Sequence, residues 1–176
     1  MEKGLIHLYY GDGKGKTTAA VGLGVRAYGK GKKVLFVQFL KDNQSGEIIS
    51  LEKFNDNFLV LKGKPVKKFL MSMNTEEKNE TIEEMNRLFD NAINKATREG
   101  YDVIILDELI DTINMNIIDI SKVLEFIRSK TQKLEIVITG HNPSAVFFEL
   151  CDYVTEIKKI KHPYDKGIKA KDGIEK

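Results

Sequence analysis

The sequence predicts an α/β protein with a mostly parallel central sheet of about six strands flanked by helices. Three observations predict it. Short apolar runs rich in Val, Ile and Leu alternate along the chain with segments of helical periodicity. Two of the runs, "VLFVQFL" (34–40) and "VIILD" (103–107), are apolar almost throughout, as strands buried on both faces should be. A glycine-rich turn, "GDGKGKT" (11–17), stands between the first apolar run and the first helical segment.

The elements follow in order. "LIHLYY" (5–10) reads as the first strand, with His7 alternating into it as a structural residue. "TTAAVGLGVRAYG" (17–29) reads as a helix of small residues with a Gly stop. Strands are expected at 33–40, at 57–62 as a weaker member, and at 101–108 as the strongest of all. Between the last two, Ile82, Met85, Phe89, Ala92, Ile93 and Ala96 recur at helical spacing, which predicts a helix over 75–98. Asn74 or Thr75 would cap it, with Glu76 and Glu77 in its positive first turn. A short helix after Glu108 and another over about 120–130 precede a strand at 134–140. Asn142 then caps a further helix with Pro143 at its first position, and 153–160 closes the sheet. The tail from Lys161 onward is rich in Lys, Gly and Asp and reads as loop, ordered over a ligand.

Bulk properties bound the function. At 176 residues the chain is expected to form one domain, 1–176, large enough for a real core. The net charge of +2 gives no footprint of a nucleic-acid binder. One cysteine, Cys151, excludes an internal disulfide and a cysteine metal cluster, and its place after an apolar run marks it as a buried structural thiol. No secretory signal and no run of about 18 apolar residues is visible, so a cytoplasmic protein without a membrane segment is expected.

The glycine-rich turn departs from the usual phosphate-binding loop. The pattern G-x-x-x-x-G-K-[ST] would put Gly at position 10; this chain has Tyr10, and its first Gly is Gly11. The loop is one residue short and carries an additional Lys14. Its placement between strand and helix is still that of an anion nest, with the helix N-terminus adding partial positive charge. Gly11, Gly13 and Gly15, with Asp12 between them, would let the backbone approach phosphate oxygens. Lys16 would supply a point charge, Thr17 a hydroxyl for Mg²⁺ and Thr18 a further donor. Asp107 and Glu108 follow four apolar residues at the C-terminal edge of a buried strand, where a direct or water-mediated Mg²⁺ ligand belongs. The two elements together predict binding of an NTP with Mg²⁺, and hence a P-loop NTPase-like (RecA-like) fold.

Nucleotide binding leaves three classes open: an NTP hydrolase or switch, a small-molecule kinase, or another use of ATP. The chain's arginines, Arg26, Arg87, Arg98 and Arg128, form no cluster resembling a kinase lid, and no N-K-x-D reads guanine.

A resemblance narrows the choice. "GDGKGKTTAAVGLGVRA" (11–27), "VLFVQFLK" (34–41), "GE" (46–47), "DVIILDEL" (102–109), "IVITG" (136–140) and "DYVTEIKKIKHPYDKGIKAKDGIE" (152–175) together resemble the P-loop type ATP:corrinoid adenosyltransferases. The shortened loop and the segment "KIKHPYDKGIKAKDGI" are marks of that family. The resemblance is weakest over 48–100. It implies transfer of the 5′-deoxyadenosyl group of ATP to the Co(I) of a corrinoid such as cobalamin, with release of triphosphate. It implies a homodimer, a flavodoxin-like electron donor, and an apolar face that excludes the lower ligand of cobalt. The family often builds that face with F-x-W. This chain has no Trp, and Phe69 and Met71 of "KFLMSM" stand in register, either as that face or as ordinary core. Arg26 matches a family arginine that could reach the nucleotide, and Gln38 and Lys41 end a strand on the loop's side of the sheet. His162, in the matched tail, would contact corrinoid or phosphate, or only pack the tail. Where the family commonly has Arg after "TG", this chain has His141, a charge contact or a plain loop residue. The alternatives kept beside this reading are a P-loop ATPase or kinase, and a non-catalytic corrinoid- or nucleotide-binding regulator.

Overall fold

A computed structural model describes residues 3–54, 57–66, 68 and 70–175. Six strands, all parallel, form one sheet: β1 (Ile6–Tyr10), β2 (Val34–Gln38), β3 (Phe58–Leu61), β4 (Val103–Asp107), β5 (Glu135–Gly140) and β6 (Tyr153–Glu156). Their spatial order is β3-β2-β4-β5-β1-β6. The chain runs outward in one direction through β2 and β3. It then returns through β4 and β5 to flank β1. Six helices connect and cover them: α1 (Lys16–Tyr28), α2 (Gly46–Leu51), α3 (Thr75–Arg98), α4 (Leu109–Asn114), α5 (Ile120–Ser129) and α6 (Ala145–Leu150).

Alternation along the strands divides the core between the two faces of the sheet. Leu35, Val37, Ile104 and Leu106 pack with Met85, Leu88, Phe89 and Ala92 of α3 and Phe126 of α5. Val34, Phe36, Val103 and Ile105 point the other way, onto Ala20 of α1 and Ile48 and Leu51 of α2. The central strands β2 and β4 are buried at every position. This is why they lack the apolar/polar alternation of a half-exposed strand.

Several boundaries differ from the sequence expectation: β2 and β4 are shorter at both ends, and the helix expected to be capped by Asn142 with Pro143 at its first position begins at Ala145, with Ser144 at its N-cap. α1 begins one residue early, at Lys16. β6 stops at Glu156 instead of running to 160, because its single neighbour, β1, ends at Tyr10 and turns away into the loop. Beyond it the tail is not featureless: Pro163–Lys166 forms a 3-10 turn capped by the His162 side chain. The helix α2 has no counterpart in the sequence reading, since six residues are too few to show a period. For α3 the cap is Asn74: its Oδ1 accepts from the Glu77 N–H, and Glu77 accepts from the Asn74 N–H in return. Cys151 is half-buried, and burial pushes its thiol up to about 12, so it stays protonated. No helix among the described residues is long and apolar enough to cross a membrane.

Candidate active site

The apolar runs of β2, β4 and β5 each end in a buried polar side chain: Gln38, Asp107 and Thr139. These three meet. Asp107 is fully buried, and its Oδ2 accepts from Gln38 Nε2 at 2.9 Å while its Oδ1 accepts from Thr139 Oγ1 at 2.7 Å. From α1, Thr17 Oγ1 donates to the same carboxylate at 3.0 and 3.1 Å. Burial raises the pKa of Asp107, and the hydrogen bonds from Gln38, Thr139 and Thr17 oppose that rise. The carboxylate is thus placed by neutral donors, with no ion pair to it among the described residues and Lys41 acting from farther off.

The backbone then turns sharply. Glu108 adopts a left-handed conformation (φ 62°), and its N–H donates to Thr139 Oγ1 at 2.9 Å. This unusual geometry for a non-glycine residue swings its side chain to Lys41, whose Nζ lies 2.8 Å from Glu108 Oε1. Burial raises Glu108, and Lys41 opposes it. Burial pulls Lys41 down, but Glu108, Asp107 and Glu47 more than offset this, leaving its pKa raised. Glu108 moves upward because its burial outweighs Lys41, and Lys41 moves upward because the three carboxylates outweigh its own burial. Glu47 joins through Gln38 Nε2 at 3.3 Å, and Ser45 Oγ donates to Gln38 Oε1 at 3.2 Å.

The loop meets this cluster from β1. Gly15 caps α1 in a left-handed conformation (φ 119°) and contributes no side chain, so the first-turn N–H groups of α1 lack an intrahelical partner. No acidic residue occupies that first turn. Lys16 Nζ folds back onto the carbonyls of Gly11 at 2.7 Å and Gly13 at 3.0 Å. Its burial lowers its pKa, opposed by Asp111, Glu108, Asp107 and Asp12 in that order. The loop thus gathers a buried ammonium and a helix N-terminus on one side, and the Asp107 carboxylate stands beside them.

Which group would hold a hard cation follows from the donor set. Among the described residues no group of three or more His, Cys, Asp or Glu is arranged to hold a metal. Thr17, Asp107 and Glu108 instead offer a hydroxyl and carboxylates on one side. That fits Mg²⁺, which keeps several waters and takes the rest of its shell from phosphate oxygens.

The three loop glycines have different duties. The sequence expectation was that each lets the backbone approach phosphate. A Cβ on Gly11 would lie 2.4 Å from the Ile157 carbonyl oxygen, and one on Gly13 would lie 2.7 Å from it. Both are reserved for the chain segment leaving β6, not for a ligand. Gly13 N–H donates to Ile157 O at 2.8 Å, and Ile157 N–H donates to Tyr10 O at 2.7 Å. Gly15 alone faces open space. Asp12 likewise serves the tail: its Oδ1 accepts from the Lys159 N–H at 3.0 Å, and this bond holds its carboxyl below the usual range.

Other expected residues are placed less centrally. Lys14 and Thr18 are exposed beside the loop. Arg26 sits in the last turn of α1, ten residues past Lys16 and so about 15 Å along the helix, away from the cluster. His162 Nδ1 accepts from the Tyr164 N–H at 3.2 Å, which commits it to shaping the tail. Met71 is 96% exposed on a 3-10 turn, Leu70–Ser72, which is not the environment of a core residue. Phe69 lies outside the described residues. The segment leading to Met71 is stitched to the site: Val66 N–H donates to Lys41 O at 2.9 Å, and Asn43 Nδ2 donates to Gly63 O at 2.8 Å. The sequence reading missed Thr139, Glu47 and Asp111. Thr139 carried a usable signal, a polar residue closing a buried apolar run just as Gln38 and Asp107 do.

With this geometry in hand, comparison with known proteins is informative. Residues 2–175 match the family model described as ATP:corrinoid adenosyltransferase BtuR/CobO/CobP. A corrinoid adenosyltransferase of Escherichia coli strain K12 is 31% identical over 175 residues, covering 99% of this chain and 86% of the relative. The corrinoid adenosyltransferase CobA of Salmonella typhimurium strain LT2 is 31% identical over 184 residues, with coverage of 99% and 86%. A corrinoid adenosyltransferase of a Sinorhizobium species is 32% identical over 179 residues, with coverage of 99% and 81%.

Two predictions follow from the geometry. Ionising Asp107 is costlier in the folded chain than in the unfolded one. Its contribution to metal-free stability therefore declines as pH rises from the ordinary aspartate range through its raised value. Asp107→Asn removes that decline. In the presence of chelator, wild-type Tm should fall as pH rises across that range while the variant's Tm stays flat, whatever its absolute value. A variant Tm that falls in step with wild type by calorimetry would contradict the account. Gly13→Ala should push the tail off the loop, seen as faster amide exchange at Ile157 and Lys159, whereas Gly15→Ala should leave those amides protected. Unchanged exchange in Gly13→Ala would remove the tail's claim on that glycine.

Proposed function

Since the chain belongs to the ATP:corrinoid adenosyltransferase family, we infer that it transfers the 5′-deoxyadenosyl group of ATP to the Co(I) of a corrinoid, in the synthesis of adenosylcobalamin. The C5′–O bond to triphosphate breaks as the electron pair of Co(I) forms the Co–C5′ bond, and triphosphate departs. The observation that carries this reading is the junction of the shortened loop with the Thr17–Asp107–Thr139 cluster, inside a family match that spans nearly the whole chain.

Co(I) is itself a strong nucleophile, so the protein's task is to hold C5′ in line with cobalt and to stabilise the leaving triphosphate. Lys16 exchanges the carbonyls of Gly11 and Gly13 for phosphate oxygens, and the first-turn N–H groups of α1 meet the same charge. Thr17, Asp107 and Glu108 would hold Mg²⁺, which would supply further neutralisation of the triphosphate. Gln38 and Thr139 fix Asp107, and Lys41 fixes Glu108.

The corrinoid would lie over the segment that carries Met71. Met71 is 96% exposed there, so its side chain is open to an apolar partner. Met71 would there face the lower side of the corrinoid, where a nonpolar group cannot coordinate cobalt. Reduction of Co(II) to Co(I) is assigned to a flavodoxin-like donor. The chain's one cysteine, its thiol raised to about 12, is unsuited to redox relay. A homodimer is supported by the exposed Tyr153 and Val154 on edge strand β6. A single domain over 1–176 and a cytoplasmic location complete the reading.

An anaerobic reaction with ATP, Mg²⁺ and chemically reduced cob(I)alamin tests the function. The expected products are triphosphate and an adenosylated corrinoid, whereas ADP with phosphate would indicate an ATPase. Lys16→Ala should lose about 2–4 kcal/mol of transition-state stabilisation, and full activity in that variant would overturn the site. Met71→Ala should lower the yield of four-coordinate Co(II) by electron paramagnetic resonance while sparing turnover of pre-reduced cob(I)alamin. Equal loss in both assays would assign Met71 a different role.

A further inference from the structure

The chain between β2 and α2 is bent twice against its preference. Leu40 (φ 58°) and Asn43 (φ 63°) both adopt the left-handed conformation. For a bulky residue such as Leu40 this is a true outlier, and such strain persists only where the surroundings over-determine it. Here both ends of the connection are tied to the site. The fully buried Phe39 donates its N–H to the Asp107 carbonyl at 3.0 Å, and Ser45 Oγ donates to Gln38 Oε1 at 3.2 Å. Between the two bends, Lys41 reaches in two directions. Its Nζ lies 2.8 Å from Glu108 Oε1, and its carbonyl accepts from the Val66 N–H at 2.9 Å. Asn43 Nδ2 adds a bond to the Gly63 carbonyl at 2.8 Å.

These last two bonds hold one side of the segment that leads to Met71. Helix α3 holds the other. Glu84 Oε1 accepts from the Lys64 N–H at 2.8 Å, and a Cβ on Gly63 would lie 3.2 Å from Glu84 Oε1 and from Leu88 Cδ2. Val66 and Leu70 pack against the core that contains Leu88, while Met71, next to Leu70, is exposed. The stretch 63–66 is thus clamped between α3 and the doubly bent connection. The grip on its open side comes from residues that also border Asp107 and Glu108.

We propose that Asn43 is a positioning residue for the corrinoid: by holding Gly63, it sets how closely the Met71 turn stands to the nucleotide edge of the sheet. This rests on the reading of Met71 as the nonpolar group below cobalt. The macrocycle would then lie between that turn and the nucleotide at Lys16. Excluding a lower ligand demands close approach, because a gap wide enough for one water restores a fifth ligand to Co(II). A side chain on an exposed turn does not fix such a distance by itself, whereas a clamped backbone behind it does. The bend at Asn43 and the amide it carries are separable. Glycine keeps the left-handed bend at no steric cost and loses the amide. Aspartate keeps the side-chain shape, but its carboxylate only accepts and has nothing to donate to the Gly63 carbonyl.

The test compares the full chain with Asn43→Gly and Asn43→Asp, each also in a Met71→Ala background. Both variants should lower the four-coordinate Co(II) signal of cob(II)alamin with Mg-ATP about three- to tenfold by electron paramagnetic resonance. Equilibrium binding of Mg-ATP and turnover of pre-reduced cob(I)alamin should stay near wild type. Amide exchange at Val66 should quicken in both. In the Met71→Ala background the same substitutions should change the signal far less, since the side chain being positioned is gone. If Asn43→Gly matches wild type, the residue serves the bend alone and the proposal fails. It fails equally if ATP binding or cob(I)alamin turnover falls in step with the signal, or if the effects of Asn43→Gly and Met71→Ala multiply independently. If Met71→Ala leaves the signal whole, the reading of Met71 falls and takes the proposal with it. If wild type forms no adenosylated corrinoid, the functional reading itself falls.

Discussion

Four elements of the sheet side of this molecule meet at one buried carboxylate. Asp107 receives hydrogen bonds from Thr17 on α1, Gln38 on β2 and Thr139 on β5, and it ends β4 itself. Burying a charge is unfavourable unless every lone pair is met, and here neutral donors meet them. The arrangement fixes the relative register of α1, β2, β4 and β5 at the edge of the sheet where the loop opens. It also leaves the carboxylate without an ion-pair partner among the described residues, with Lys41 acting on it only from a distance. The left-handed turn at Glu108 belongs to the same design: Thr139 holds its N–H, and its side chain is delivered to Lys41.

The shortened loop makes sense only with the tail in place. An ordinary phosphate loop reserves its glycines for the ligand, whereas here two of the three are pressed against the backbone of residues 157 and 158. The chain leaving β6 supplies a carbonyl to Gly13 and an amide to Asp12. The loop's shape is thus set jointly by its own sequence and by a segment more than 140 residues later. Gly15 alone of the three has open space beside it.

The fold was largely legible in the sequence because its signals were local and strong. The buried runs of β2 and β4, the 3.6-residue period of α3 and the Asn74 cap all rest on neighbouring residues. That Lys16, Thr17, Asp107, Gln38 and Lys41 gather at one edge of the sheet was legible because each lies at the start of α1 or at or just past the C-terminal end of a buried strand. What escaped depends on contacts distant in sequence. The service of Gly11, Gly13 and Asp12 to the tail could not be read without knowing that β6 lies beside β1. The pairing of Asp111 with His141 crosses 30 residues and carries no motif. Met71 reads equally as core or as surface in sequence, and only its 96% exposure separates the two.

The position of β1 has a consequence for how the chain is made. Its two neighbours are β5 and β6, with Ile6 beside Ile136 and His7 beside Tyr153. A ribosome releases β1 and the phosphate loop early, yet neither finds a sheet partner until well over a hundred further residues have been synthesised. Strands β2, β3 and β4, which pair among themselves, are free to assemble first. The loop and its junction with Asp107 are therefore among the last parts of the nascent protein to take shape. Its loop waits, unpaired and cationic, inside a half-built sheet until the final strand closes beside it.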